Sequence, residues 1–280
     1  MTDRRSFSAV RLIEHLVEAS HSCAYLLEER ARMEVRVMVD VTAGETDAML
    51  ERGWRRFGPM YFRPACHSCH ECVSLRVLAD RFEPTKSQRR AARASRSLRR
   101  VVGPPTIDAA RLALYAKWHA NRERERGWAS NPHTPERYAL EFCFPHPCAR
   151  EAAYYDDGTS PAPPERGRND ADRGGGRLVG LGIYDETPNA LSAAFFFYDP
   201  DYARYSLGTA NVVAMVEDAR AARLTYVYLG YRVAGCASLR YKSTFGPHEL
   251  LRGRPAPEEQ PIWREPPLGA RRLDTSPPGA

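Results

Sequence analysis

The sequence predicts an α/β (α+β) chain: a small, cysteine-containing sheet lobe followed by a lobe built on a mixed sheet with helices. Two observations carry that expectation. Residues 191–231 read strand, loop, helix, strand, the order of a crossover unit between parallel strands. Residues 31–41 alternate, with Met33, Val35, Val37 and Val39 apolar against Glu34, Arg36 and Asp40, as a half-buried strand does. With 280 residues and 43% hydrophobic content, the chain can bury real cores in one large domain or two modest ones.

Taken in order, residues 1–20 form an extension whose amphipathic stretch, 7–19, reads as a helix or as an addition particular to this chain. A first lobe spans 21–104. After its alternating strand, 46–53 reads as a short helix closed by glycine, 54–63 as a strand running to Pro64, and 73–78 as a third strand. A second lobe spans 105–252. Residues 108–126 carry Leu112, Tyr115, Ala116 and His119 at helical spacing, with Trp118 and Trp128 as core anchors and a solvated end at 122–126. A further short segment begins at Tyr138. The stretch 156–176, DDGTSPAPPERGRNDADRGGG, is too rich in Pro, Gly and Asp to bury a core and reads as a disordered loop between hairpin strands, the second at 178–184. The apolar run 191–198 stops at Asp199-Pro200, where proline removes a ladder donor. Val212, Val213, Met215, Val216 and Ala219 then recur at helical spacing, with Thr209 and Asn211 as caps, and 224–229 is the next strand. Residues 253–280 hold seven prolines in 28 positions and read as a flexible tail.

Charge and cysteine usage narrow the class. The 41 Lys and Arg against 35 Asp and Glu leave +6, and between Arg81 and Arg100 eight basic residues face one acid. On a helix, Lys86, Arg90 and Arg93 make one row and Arg89, Arg93, Arg96 and Arg100 a second, a stripe suited to successive RNA phosphates; the plainer reading is a solvated helical face. The seven cysteines are odd in number, with three in Cys66-x-x-Cys69-x-x-Cys72, which fits reduced thiols or metal ligands better than a secreted disulfide framework. Three thiols at that spacing wrap zinc or an iron-sulfur cluster if Cys23 or His21 supplies a fourth ligand; otherwise they are buried thiols that pack the first lobe. No apolar run approaches the roughly 18 residues of a membrane span, and the N-terminus has no signal-peptide core, so a cytoplasmic protein with no membrane partner is expected.

Several stretches carry a family resemblance: YFRPACHSCHECVSLRV, FEPTKSQRR, YDPDYARYSLGT and YVYLGYRVAGCASLRYKSTFGP. In order from about Cys23 to Glu249 they resemble bacterial aminoacyl-tRNA protein transferases, the aspartate/glutamate leucyltransferases related to eukaryotic arginyl-tRNA protein transferase. The second lobe resembles the acyl-donor half of an N-acetyltransferase-like fold, although Arg204 lies four residues before Gly208 and Ala210 stands where a second glycine is usual. In the basic stretch Lys86, Ser87, Gln88, Arg89 and Arg90 match the family pattern, Arg93 keeps its third arginine, and Ala94-Ser95 depart from it.

The resemblance implies an aminoacyltransferase that moves leucine from Leu-tRNA to proteins beginning with Asp or Glu and so marks them for degradation. Arginine from Arg-tRNA is the runner-up. A coenzyme A-dependent N-acetyltransferase and a zinc-bearing RNA-binding protein are the alternatives from other classes. An aminoacyl ester is already activated, and a terminal amine with a pKa of about 7.7 to 8.0 is partly neutral, so positioning and oxyanion stabilisation suffice without a nucleophile triad or a required cofactor. Cys236 accordingly reads as helix packing. The implied tRNA contacts are Lys86, Gln88, Arg89, Arg90, Arg93 and Arg204. A cation for the acceptor carboxylate comes from Arg89, Arg90, Arg240 or Lys242. Phe195, Phe197, Tyr228 or Leu229 would wall the leucine pocket. Ser206, Leu207, Gly208 and Thr209 would orient the reacting carbonyl or terminal phosphates, with Tyr231 a further positioning or oxyanion-donor candidate, and Tyr231 and Tyr241 would stack on the 3′ adenosine or else join the lobes. A monomer is expected.

Overall fold

The computed structural model describes residues 11–127, 130, 134–158 and 176–267. Their strands are β1 (Arg11–Val17), β2 (His21–Ser22), β3 (Arg30–Ala31), β4 (Met33–Val39), β5 (Arg55–Phe57), β6 (Met60–Pro64), β7 (Val73–Leu78), β8 (Arg99–Gly103), β9 (Ala149–Asp156), β10 (Arg177–Glu186), β11 (Ala190–Tyr198), β12 (Tyr226–Arg232), β13 (His248–Leu251) and β14 (Trp263–Arg264). The helices are α1 (Ala43–Glu51), α2 (Lys86–Ala94), α3 (Ala109–Arg126), α4 (Pro135–Phe142), α5 (Leu207–Ala221) and α6 (Ala237–Arg240). A small antiparallel sheet runs β1-β4-β6-β5, and a large mixed sheet runs β14-β13-β7-β12-β11-β10-β9-β8. This is the expected α/β architecture, and β11-α5-β12 is the expected crossover, with its two strands parallel.

Both faces of the large sheet are covered. Along β11 the side chains alternate: Phe195 and Phe197 pack with Leu114, Tyr115 and Trp118 of α3 and Tyr138 and Phe142 of α4, while Leu191, Phe196 and Tyr198 pack on the α5 side with Val213, Met215 and Val216. A strand buried on both faces is what an unbroken apolar run in sequence signifies. Helix α3 starts at Asp108, whose side chain accepts from Arg111 N, and stops at Gly127 with φ +63°. The small sheet docks beside α4. Phe57 meets Phe142 and Phe195 edge-on, and the half-buried Arg56 pairs with buried Asp185 of β10.

The structure departs from several expectations. Residues 11–17 form strand β1, not a helix. Leu12, Ile13, Leu16 and Val17 imitate helical spacing because a register shift between Leu12 and Glu14 breaks the alternation in the pairing with β4. Residues 54–63 form the β5-β6 hairpin and not one strand. Gly58, with φ +53°, turns there, where a Cβ would lie 2.0 Å from the Leu140 carbonyl oxygen. Helix α1 begins three residues before Thr46, because Thr42 and Glu45 form a capping box. The strand at 73–78 joins the large sheet between β13 and β12, so a boundary at 104 does not part the two sheets: β7 and β8 precede it and belong with β9–β12. Residues up to 267 of the expected tail are tied down. Strand β14 pairs with β13, Arg254 donates to the carbonyls of Cys66 and Cys69 at 2.9 and 3.0 Å, and Arg81 meets Glu265. The expected loop at 156–176 is flanked by β9 and β10, which pair antiparallel as a hairpin should; its residues 159–175, like Trp128 and residues 268–280, lie outside the described residues.

Candidate active site

Strands β11 and β12 pair only over residues 190–192 and 226–228. Beyond that they part, and the gap is held open by a side chain from the small sheet. Arg55 of β5 donates through Nη2 to the Ala193 carbonyl of β11, while its guanidinium carbon lies 3.2 Å from where a Cβ on Gly230 of β12 would stand. Gly230, at φ +77°, sits at the register shift that bends β12, so a glycine is needed there both for the backbone and for the close approach. The Arg55 Nη1 is buried and has no hydrogen-bond partner. Leaving such a donor unmet costs about 1–3 kcal/mol, more when it is charged.

Lys242, in the 3-10 turn 241–244 that follows α6, reaches the same place and donates to the Tyr231 carbonyl at 3.0 Å. Burial, and then the neighbouring Arg55 charge, bring its ammonium pKa down to about 7. Arg55 is likewise held below the usual guanidinium range by burial. Asp185, whose charge acts on Arg55, is already engaged by Arg56.

Tyr231 is fastened. Its hydroxyl lies 3.0 and 3.2 Å from the Gly53 and Phe62 carbonyls, so its one proton is committed to joining the sheets, and burial pushes the phenol pKa up. This is the lobe-joining role, and the oxyanion-donor assignment loses its proton. Tyr228 is 3% exposed; its hydroxyl takes a bond from Arg76, whose Nε binds Glu249 at 2.7 Å and whose guanidinium lies over the Tyr226 and Trp263 rings. It is core, and so are Phe195, Phe197 and Leu229. Tyr241, 44% exposed, keeps a free face toward solvent.

Helix α5 begins at Leu207, so Thr209 and Asn211 lie inside it and do not cap it. Buried Asn211 instead accepts from the Tyr154 hydroxyl at 2.9 Å. The cap position is Ser206, exposed and left-handed at φ +52°, whose side chain makes no capping bond. Gly208 is half-buried, and an added Cβ would meet the Phe196 ring at 3.8 Å, an ordinary contact. The first-turn amides of an α-helix lack intrahelical partners, which leaves this turn able to face an anionic group. Arg204 lies over the Tyr205 ring at 5.1 Å.

Helix α2 packs on α5, which puts the basic segment beside that turn's helix. Thr85 and Gln88 form a capping box, and Gln88 is only 2% exposed, its Nε2 donating to the Thr244 carbonyl at 3.1 Å. Gln88 therefore fastens α2 to the Lys242 turn and does not face a ligand, a correction to its expected tRNA contact. Lys86, Arg89, Arg90, Arg93 and Arg96 are exposed; Arg89 bends back to the Pro84 carbonyl. The expected second row stops short of Arg100, which lies in strand β8 and is paired with Asp218.

The four candidate metal-binding thiols share one neighbourhood. Burial and the proximity of Cys66, Cys23 and Cys69 push Cys72 up to about 12. Among the described residues, however, no three His, Cys, Asp or Glu side chains converge to hold a metal ion.

The family description "Arginine-tRNA-protein transferase, N terminus" matches residues 21–90, and "Arginine-tRNA-protein transferase, C terminus" matches 110–252. The chain belongs to this family. Among its relatives is the "Aspartate/glutamate leucyltransferase" of Helicobacter hepaticus, 31% identical over 91% of this chain and 98% of that protein. Proteins of the same name from Campylobacter jejuni strain 81-176 (30%, covering 87% and 95%) and Chromobacterium violaceum (31%, covering 89% and 95%) are similar to it as well. Among solved structures, FemX superposes with a TM-score of 0.41 at 6% identity, over 78% of this chain and 79% of that one.

Of the site residues expected in this transferase family, the fold brings Lys242 to the parted strands, Gly208 to the first turn of α5, and Arg90 and Arg93 to the exposed face of α2. Sequence reasoning passed over Arg55, since nothing in Trp-Arg-Arg-Phe says which of two adjacent arginines enters the gap. The alternation of a strand offers a partial signal: Arg55 and Arg56 must face opposite ways, and only one can meet Asp185. Arg254 was hidden in a segment read as tail.

Proposed function

We propose that this protein transfers leucine from Leu-tRNA to the amino terminus of proteins that begin with Asp or Glu, creating a degradation signal. The observation that carries the reading is identity of about 30% to proteins named aspartate/glutamate leucyltransferase over nearly their whole length. The geometry is consistent with it. Exposed Lys86, Arg90 and Arg93 on α2 offer phosphate contacts, and the crossover beside them opens at the parted ends of β11 and β12. In the reaction, the acceptor's neutral amine forms a bond to the ester carbonyl. The tetrahedral oxyanion then collapses, the bond to the tRNA 3′-terminal oxygen breaks, and the proton that the amine nitrogen gives up on becoming the amide ends on that oxygen. The chain's own part is to hold amine and ester together and to face the oxyanion with backbone donors, for which the Gly208 turn is the candidate. The protein acts as a cytoplasmic monomer in this reading. Among the described residues no helix is long and apolar enough to cross a membrane.

Arginine as the donated residue is the second reading, favoured by the family description itself. Purified protein incubated with labelled Leu-tRNA, Arg-tRNA or acetyl-CoA and a peptide beginning with Asp decides between them. Label is expected on the peptide from Leu-tRNA. Transfer from acetyl-CoA alone would overturn the assignment, and transfer from Arg-tRNA alone would exchange the donor.

A further inference from the structure

Two cations, Arg55 and Lys242, converge where β11 and β12 part, and among the described residues neither is paired with a carboxylate. Arg55 spends one arm on the Ala193 carbonyl and keeps Nη1 buried without an acceptor, while Lys242 has one carbonyl, that of Tyr231, for its three ammonium protons. Asp185 cannot serve Arg55, because Arg56 holds it. Two like charges gathered in a confined place with an unmet donor are a poor arrangement for stability alone, and such a constellation is explained when an anion completes it.

We infer that Arg55 and Lys242 form the receptor for the side-chain carboxylate of the acceptor protein's first residue. This rests on the reading that the chain modifies proteins beginning with Asp or Glu, and it names the residues that select them. The chemistry of the site is specific for a carboxylate: Nη1 of Arg55 supplies a directed N–H, Lys242 supplies a second donor and the charge, and Gly230 leaves the guanidinium room to lie across the gap. Asn or Gln, of the same shape, would set an amide N–H₂ against one of these donors and lose the charge attraction. The separation also divides labour within the protein. The exposed arginines of α2 lie outside this gap and remain for RNA phosphates, so Arg89 and Arg90, once weighed as carboxylate ligands, are not needed for that task.

The test compares peptides that begin with Asp and with Asn, otherwise identical, in wild type, Lys242→Met and Arg55→Lys, by leucine transfer and by equilibrium binding without tRNA. In wild type, Asp should be preferred over Asn by about a hundredfold or more in kcat/KM. Lys242→Met should raise KM for the Asp peptide by about tenfold or more while leaving its kcat and the Asn peptide nearly unchanged, so that the preference collapses. Arg55→Lys, which keeps the charge but not the fork, should lose part of the preference; thermal unfolding reports whether either variant is folded. A folded Lys242→Met enzyme with an unaltered Asp to Asn ratio overturns the inference and leaves leucine transfer standing. A wild type that transfers no leucine yet binds the Asp peptide through Lys242 upholds the receptor and removes the donor assignment. Absence of both transfer and Asp preference in wild type removes both.

Discussion

The basic helix α2 separates two kinds of residue that look alike in sequence, and a pair of variants tells them apart. Arg90 and Arg93 are exposed and make no ion pair among the described residues, so Arg90→Ala with Arg93→Ala removes the two phosphate contacts proposed for them without disturbing the fold. Each contact contributes about 0.7 to 0.9 to the slope of log affinity against log salt, so the double variant should flatten that slope by about 1.4 to 1.8 and weaken tRNA binding about twentyfold at 150 mM salt. Gln88→Ala should do the reverse. It removes the oxygen that accepts from Thr85 N at 2.8 Å and the amide that donates to the Thr244 carbonyl at 3.1 Å, both on a side chain that is 2% exposed. A lost capping bond of about 1 kcal/mol and the lost bond to the Thr244 carbonyl of about 1 kcal/mol sum to about 2 kcal/mol. For a chain of this size that is a fall of about 4–8 °C in Tm, with the salt slope unchanged. Filter binding of charged tRNA from 50 to 300 mM salt, with calorimetry of each variant, reads both quantities. An unchanged slope in the double arginine variant, or a flattened slope in Gln88→Ala, would refute the division of roles.

Two further outcomes follow from the packing of the small sheet. Gly58→Ala must relieve a Cβ placed 2.0 Å from the Leu140 oxygen, at a positive φ, and in doing so breaks the 2.8 Å bond from Gly58 N to the Glu141 carbonyl; a loss of about 3 kcal/mol or more is expected in urea unfolding. Gly44→Ala, in helix α1 with nothing within 4 Å, should instead gain about 0.5 to 1 kcal/mol and serves as the control. Neutral His146 accepts from the Cys148 amide at Nδ1, 3.2 Å away, and so donates its Nε2–H to the Tyr61 hydroxyl at 2.8 Å; burial, then Arg56, bring its pKa down to about 4. The unfolded chain binds that proton near pH 6.5 and the folded chain resists it until about 4. Stability from this group is therefore whole above 6.5 and is lost as pH falls toward 4, by at most about 3 kcal/mol and by about 1–2 after allowing for the ring's partial exposure. His146→Gln should flatten the stability profile between pH 7 and 4; an unaltered profile would place the acid sensitivity elsewhere.

What could be read in the chain was whatever depends on near neighbours. The alternating strand at 33–39, the helical spacing from 108 to 126, the buried run 191–198 and the crossover to β12 all arise within a few residues of their signals, and the ordered motifs from Cys23 to Glu249 carried the family. Local signals misled where a distant partner overrode them. Leu12 to Val17 became a strand because β4 presented an edge, and residues 254–267 were captured by the cysteine loop, β13 and Arg81 despite their prolines.

Sequence alone determined the chemistry on offer: the stripe of arginines, the thiols, the lysine after Tyr241 and the crossover on which they are hung. Tertiary structure alone decided which of these meet. Tyr231 and Gln88 turned inward to fasten elements, and Arg55, unremarkable in a short strand, was carried between β11 and β12 beside Lys242. The physical reason is that a side chain's direction in a sheet follows from pairing register and bulges, and those are settled by partners more than a hundred residues away, not by the residue's own neighbours.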